Sequence, residues 1–109
     1  IAKEGLQNDE EAIKQLKLQV RAEVLSKYNH YLTAKELFDI QKESFDNLEA
    51  SFKLTETKFE RGEATLNEYS GARDRYEVQL IRKINAENTL VQAQINLEEF
   101  IGLKLEEIL

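Results

Sequence analysis

The sequence predicts an all-α protein: a long antiparallel helical hairpin of the coiled-coil type, two helices joined by one short turn. Three observations predict it. Proline is absent from the 109 residues, which suits helices that run without a break, because an internal proline costs ~3 kcal/mol or more. Val24, Tyr31, Phe38, Phe45, Phe52 and Phe59 stand at strict seven-residue intervals. That spacing keeps one stripe on one helix face and implies a left-handed supercoil. The stretch KFERGEATLNEYSGARDRY, Lys58 to Tyr76, holds two of the four glycines and the clearest turn signal.

The first helix is expected over about residues 6–60. Val20, Ala34 and Leu48 fill out its seam, while Lys27, Gln41 and Thr55 make the companion stripe polar at intervals. Upstream, Ile13 and Leu16 continue the pattern, with Asn8 to Glu11 as an N-terminal capping box after Gly5. A helix of over fifty residues is a rod of ~75–85 Å at ~1.5 Å per residue.

Residues 61–65 form the expected turn. Gly62 is suited to the left-handed conformation that closes a helix. Thr65 caps the next helix, with Glu68 three residues on completing a T-x-x-E box. So short a connection makes its helices antiparallel neighbours.

The second helix is expected over about residues 66–102, with a tail at 103–109. Tyr69, Tyr76, Leu90 and Leu97 occupy a seven-residue lattice interrupted by Lys83. Pairing Phe59 with Tyr69, Phe52 with Tyr76, Phe38 with Leu90 and Tyr31 with Leu97 makes every pair symmetric about Ala64. Two lattices read independently thus share one mirror point inside the turn. A weaker eleven-residue spacing links Tyr69, Leu80 and Val91, and Ile84 with Ile95, a period that favours straighter packing.

One seam does not use all the apolar surface. Leu37, Ile40, Leu54, Ile81, Ile84, Val91 and Ile95 cannot all face the opposite helix. At ~1.5–3 kcal/mol per large side chain buried, such residues imply further helices, from the rest of the protein or from other copies.

Composition narrows the function classes. A third of the residues are charged, the formal net charge is −6 and the pI is near 4.9, so nucleic acid and bare anionic membrane are poor partners. Disulfides and thiolate metal sites are excluded because there is no cysteine. Apolar runs of two or three residues fall far short of the ~18 that suggest a spanning helix. The chain begins at Ile1 and has no methionine, and is expected to be a piece of something longer. Any anchor or export signal would then lie outside it.

Site chemistry is sparse. His30 is the sole histidine, and Glu10-Glu11, Glu98-Glu99 and Glu106-Glu107 are adjacent in sequence, hence ~100° apart on a helix and poorly placed to chelate one ion. Neither a metal nor a cofactor is expected. No nucleophile–base arrangement or phosphate loop is present, and the exposed pair Glu43 and Asp46 implies no acid–base chemistry, so no enzyme activity is expected. Arg73, Arg75, Arg82 and Lys83 cluster near Tyr76, but Asp74 and Glu77 interleave with them. Intrahelical pairing such as Glu77 with Arg73 explains them better than a nucleic-acid surface. The aromatic stripe reads as core packing. The turn is the remaining candidate, because Arg61, Glu63 and Leu66 stand where a hairpin tip can dock into a partner.

The run Phe59-x-x-Gly62-x-x-Thr65-x-x-Glu68 follows a helix carrying Val20, Val24, Tyr28 and Ala34. It precedes one dotted with Ala72, Ala86 and Ala93 and ending in Ile101-Gly102-Leu103. From about Ile13 to Leu103 this resembles the outer-membrane efflux proteins of the TolC type. Their bend follows roughly aromatic–x–x–Gly–x–x–Ser/Thr–x–x–Asp/Glu. The resemblance implies a trimer whose protomers each give two hairpins to a periplasmic α-barrel, continuous with a β-barrel in the outer membrane of a Gram-negative type cell. It also implies that hairpin tips meet a periplasmic adaptor protein coupled to an inner-membrane pump. Carried onto this chain, the adaptor-binding tip is Arg61, Gly62, Glu63, Ala64, Thr65 and Leu66. Glu68 stands where the family can place an acid at the channel constriction. Ser70 and Gly71 depart from the family pattern, at positions often leucine and often polar or acidic. The alternative class is a structural or adaptor coiled-coil hairpin that acts only in protein–protein interaction.

Overall fold

A computed structural model of the chain describes residues 2–102. It contains two α-helices: α1, Ala2–Glu60, and α2, Leu66–Ile101. They form a helical hairpin, and among the described residues there is no strand. Helix α1 runs through Gly5 and starts upstream of Asn8. The expected capping box at Asn8–Glu11 is therefore not a helix start. With favourable residues on both sides, one glycine costs only ~1 kcal/mol, too little to break so long a helix. The expected tail, 103–109, lies outside the described residues.

The helices are joined by hydrogen bonds that the turn residues dictate. Gly62 has φ +76°, and its N–H donates to the Phe59 carbonyl at 3.0 Å while the Glu63 N–H donates to the Lys58 carbonyl at 2.7 Å. These two bonds are the Schellman closure, which satisfies the orphan carbonyls at the end of α1. Three residues on, Thr65 Oγ1 accepts the Glu68 N–H at 3.1 Å and the Thr65 carbonyl accepts the Tyr69 N–H at 3.0 Å. Thr65 is thus the N-cap of α2. Its far end closes at Gly102, whose φ is +71°.

The chain divides into two compact units. The first, Thr33–Gln92, carries the turn. Its seam is a run of aromatic pairs: Phe59 stacks on Tyr69 with ring centroids 4.8 Å apart, and Phe52 on Tyr76 at 5.0 Å. Tilted contacts of Phe52 with Tyr69 (5.8 Å) and Phe45 with Tyr76 (5.4 Å) join the two stacks into one ladder. Each such pair contributes ~0.5–1.5 kcal/mol beyond the area it buries. Phe45, Ala34 and Ala72 are buried. The break in the lattice at Lys83 is also part of this seam, because Lys83 Nζ lies 4.4 Å from the centroid of the Phe45 ring. Phe45 and Lys83 are symmetric about Ala64, like the aromatic pairs. The cation thus occupies the place of an apolar partner by sitting over a π face.

The polar companion positions are likewise used. Gln79, the buried polar residue among those described, donates through Nε2 to the Gln41 carbonyl at 3.1 Å and to Gln41 Oε1 at 2.6 Å. Thr55 Oγ1 donates back to the Ser51 carbonyl at 3.0 Å, which satisfies its hydroxyl within α1.

The second unit comprises Ile1–Leu32 with Ala93–Leu109. Ala93 and Leu97 are buried there, and Lys27 Nζ lies 5.4 Å from the Phe100 ring centroid. Val24 and Tyr31 are half-buried. Ile13, Leu16 and Val20, expected in the seam, are exposed. The reason is length: α1 has 59 residues and α2 has 36. The residue symmetric with Ile101 about Ala64 is Lys27, so no described part of α2 stands opposite α1 upstream of that point.

Candidate functional site

The turn presents its residues on a frame with little freedom. Closure at Gly62 and capping at Thr65 leave one left-handed residue and no long loop between the helices. Arg61, Gly62, Glu63, Thr65 and Leu66 are exposed and Ala64 is half-buried. Leu66 is 63% exposed.

Glu68 lies in the first turn of α2, where its carboxylate complements the positive end of the helix dipole. It is exposed and shares a surface depression with Thr55, Lys58, Ala64, Asn67, Gly71 and Arg75. The turn therefore brings Ala64 and Glu68 together with two cations, Lys58 and Arg75, that the sequence reading did not place at the site. A signal for Arg75 was present, since Glu68 and Arg75 are seven residues apart on one helix and must share a flank. Gly71 lines the same depression. A Cβ built there meets only the Arg75 guanidinium, at 3.6 Å, so close approach by α1 does not explain this glycine.

Other constellations resolve into ordinary helix-surface chemistry. Arg73 Nε and Glu77 Oε1 are 3.8 Å apart and Lys53 Nζ and Glu49 Oε1 are 3.4 Å apart, exposed pairs of the i,i+4 kind worth ~0.3–0.5 kcal/mol each. Tyr76 stacks on Phe52, so its face is not free to receive a base. Among the described residues no group of three His, Cys, Asp or Glu side chains could hold a metal ion. His30 lines a depression with Ser26, Lys27, Ala93 and Asn96. The seven apolar residues in excess of one seam, Leu37, Ile40, Leu54, Ile81, Ile84, Val91 and Ile95, are all exposed. Val78, which the sequence reading passed over, joins them.

No helix among the described residues is long and apolar enough to cross a membrane. No curated protein matches the chain, and no solved structure matches it. The sequence pattern of the outer membrane efflux proteins does match, over residues 1–103. With the hairpin, its glycine-closed turn and the unused apolar faces already in view, that match over nearly the whole chain means that it belongs to the outer membrane efflux protein family.

Proposed function

We propose that this chain is one periplasmic hairpin of an outer-membrane efflux channel. It stands as a stave of an α-barrel in a trimer and exports substrates together with a periplasmic adaptor and an inner-membrane pump. One observation carries the reading: the described residues pack a single seam and leave an apolar face on each helix in water, a state that further helices on both sides would relieve. The family match supports the channel over the alternative, a coiled-coil hairpin that only binds partners. In this reading the hairpin performs no chemistry and its part is architectural. The tip, Arg61 to Leu66, docks the adaptor. Leu66 is the apolar anchor, and Arg61 and Glu63 are the polar rim. Glu68 projects near the entrance, where copies of one carboxylate would favour cations; Lys58 and Arg75 in the same depression temper that charge.

The test uses the full-length protein in cells. A photo-cross-linking residue at Glu63 should capture the adaptor, and Leu66→Asp should lower both that capture and export at least tenfold with the protein still in the outer membrane. Unchanged capture and export in Leu66→Asp would remove the tip from the docking surface. A second measurement addresses the bore: disulfides introduced between the tips of neighbouring protomers should block export, and export that survives a confirmed cross-link would refute closure at the tips.

A further inference from the structure

Gly71 stands inside α2, where glycine weakens a helix relative to alanine, and packing against α1 does not require it. The space its Cβ would take is open except for the Arg75 guanidinium, 3.6 Å away. Arg75 therefore turns back over Gly71 toward the start of the helix, the direction in which helical side chains lean. The missing side chain leaves room in the depression beside the turn, which has a volume of about 370 Å³ and is lined by Lys58 from α1 and by Glu68, Gly71 and Arg75 from α2. Two cations and one carboxylate give this depression a surplus of one positive charge, on a chain whose formal net charge is −6. Neither cation is spent within the hairpin. Among the described residues the ion pairs are Lys53 with Glu49 and Arg73 with Glu77, and Lys58 and Arg75 enter none.

From this we infer that the depression is a carboxylate-accepting site, and that its occupant is an Asp or Glu side chain of the protein that docks on the tip. A surplus of one charge matches a monoanion, whereas a dianionic phosphate would leave like charges facing each other across Glu68. The planar fork of Arg75 suits a carboxylate, and Lys58 supplies a second, flexible donor from the other helix. Lys58, Asn67, Glu68 and Arg75 are all exposed, so the depression cannot bury most of a free small molecule as a ligand pocket does. A carboxylate carried by a partner already seated on the turn has no such need. Ala64 lines the depression and belongs to the tip, which makes the two surfaces continuous. The identity of the occupant rests on the docking at the tip proposed above; the charge and lining of the depression do not.

The test uses the full-length protein in cells. A photo-cross-linking residue at Asn67, which lines the depression, should capture the docked partner at a peptide that contains Asp or Glu. Lys58→Glu/Arg75→Glu should lower that capture by about fivefold or more with the protein still in the outer membrane, and changing the captured acid to Lys should restore it. Gly71→Leu fills the depression with a better helix former. It should likewise lower capture while the thermal stability of the purified protein holds or rises, a combination that a merely structural glycine would not give. Capture at Glu63 separates this site from the docking it rests on. No adaptor captured at Glu63 removes docking at the tip, and the occupant with it. Adaptor captured at Glu63, with capture at Asn67 unchanged in both variants or directed to a peptide without an acid, overturns the site alone. Unchanged capture with altered export of carboxylate-bearing compounds only would make the occupant a free carboxylate, and overturns the proposal equally.

Discussion

Gly62 and Gly71 both sit near the turn, and they behave oppositely. Gly62 has φ +76°, and a Cβ there would touch nothing within 4 Å. Space is available and the cost of a side chain is purely conformational. Gly62→Ala should therefore destabilise the hairpin by about 1–2 kcal/mol, read from thermal denaturation followed by circular dichroism. Gly71 has an ordinary helical backbone and open surroundings apart from Arg75. Gly71→Ala should stabilise the isolated chain by about 0.5–1 kcal/mol in the same assay, because alanine loses less backbone entropy on folding. A loss of stability at Gly71 would mean that the helix needs glycine for its own fold.

Between the helices, the seam works through side-chain identity at fixed intervals. Phe45 is buried and touches both Tyr76 and Lys83, so it is the residue at which the aromatic ladder changes to cation–π packing. Lys83→Ala removes the cation and should cost about 0.5–2 kcal/mol. A double-mutant cycle with Phe45→Leu isolates the pairwise part. A coupling indistinguishable from zero would show that the ammonium contributes only its methylene packing. Raising salt should reduce the Lys83 effect less than it reduces those of the exposed Lys53–Glu49 and Arg73–Glu77 pairs, because water screens exposed charges first.

For the molecule as a whole, what stays in water matters more than what is buried. Ile81, Ile84 and Val91 are 59%, 46% and 48% exposed on α2, away from the buried line of Ala72, Gln79, Ala93 and Leu97. Large apolar side chains left in water on one helix face drive association. The isolated chain should therefore self-associate with rising concentration in sedimentation velocity. Ile81→Gln/Ile84→Gln/Val91→Gln should lower the associated fraction severalfold and keep the helix content. Association that survives this triple change would move the sticky surface elsewhere, with the α1 residues Ile13, Leu16 and Leu18 next in line.

Much of this was legible in the residues because it depends on periodicity and local turn chemistry. A repeat of seven marks a helix face wherever the helix lies, so the pairs Phe59–Tyr69 and Phe52–Tyr76 followed from two lattices sharing a mirror point. Gly62 and Thr65 act through their own backbone and hydroxyl, within three residues of where they stand. The excess of apolar side chains over one seam was also a matter of counting faces. Tertiary structure alone decided the remainder, because it depends on which side chains meet across the helices. Periodicity showed Lys83 as an interruption, and only the facing Phe45 ring made it a contact. Gln41 was a polar lapse in the stripe until Gln79 reached it. Ile13, Leu16 and Val20 kept the pattern of a seam, yet a pattern does not show whether a residue has a partner, and no described part of α2 stands opposite them.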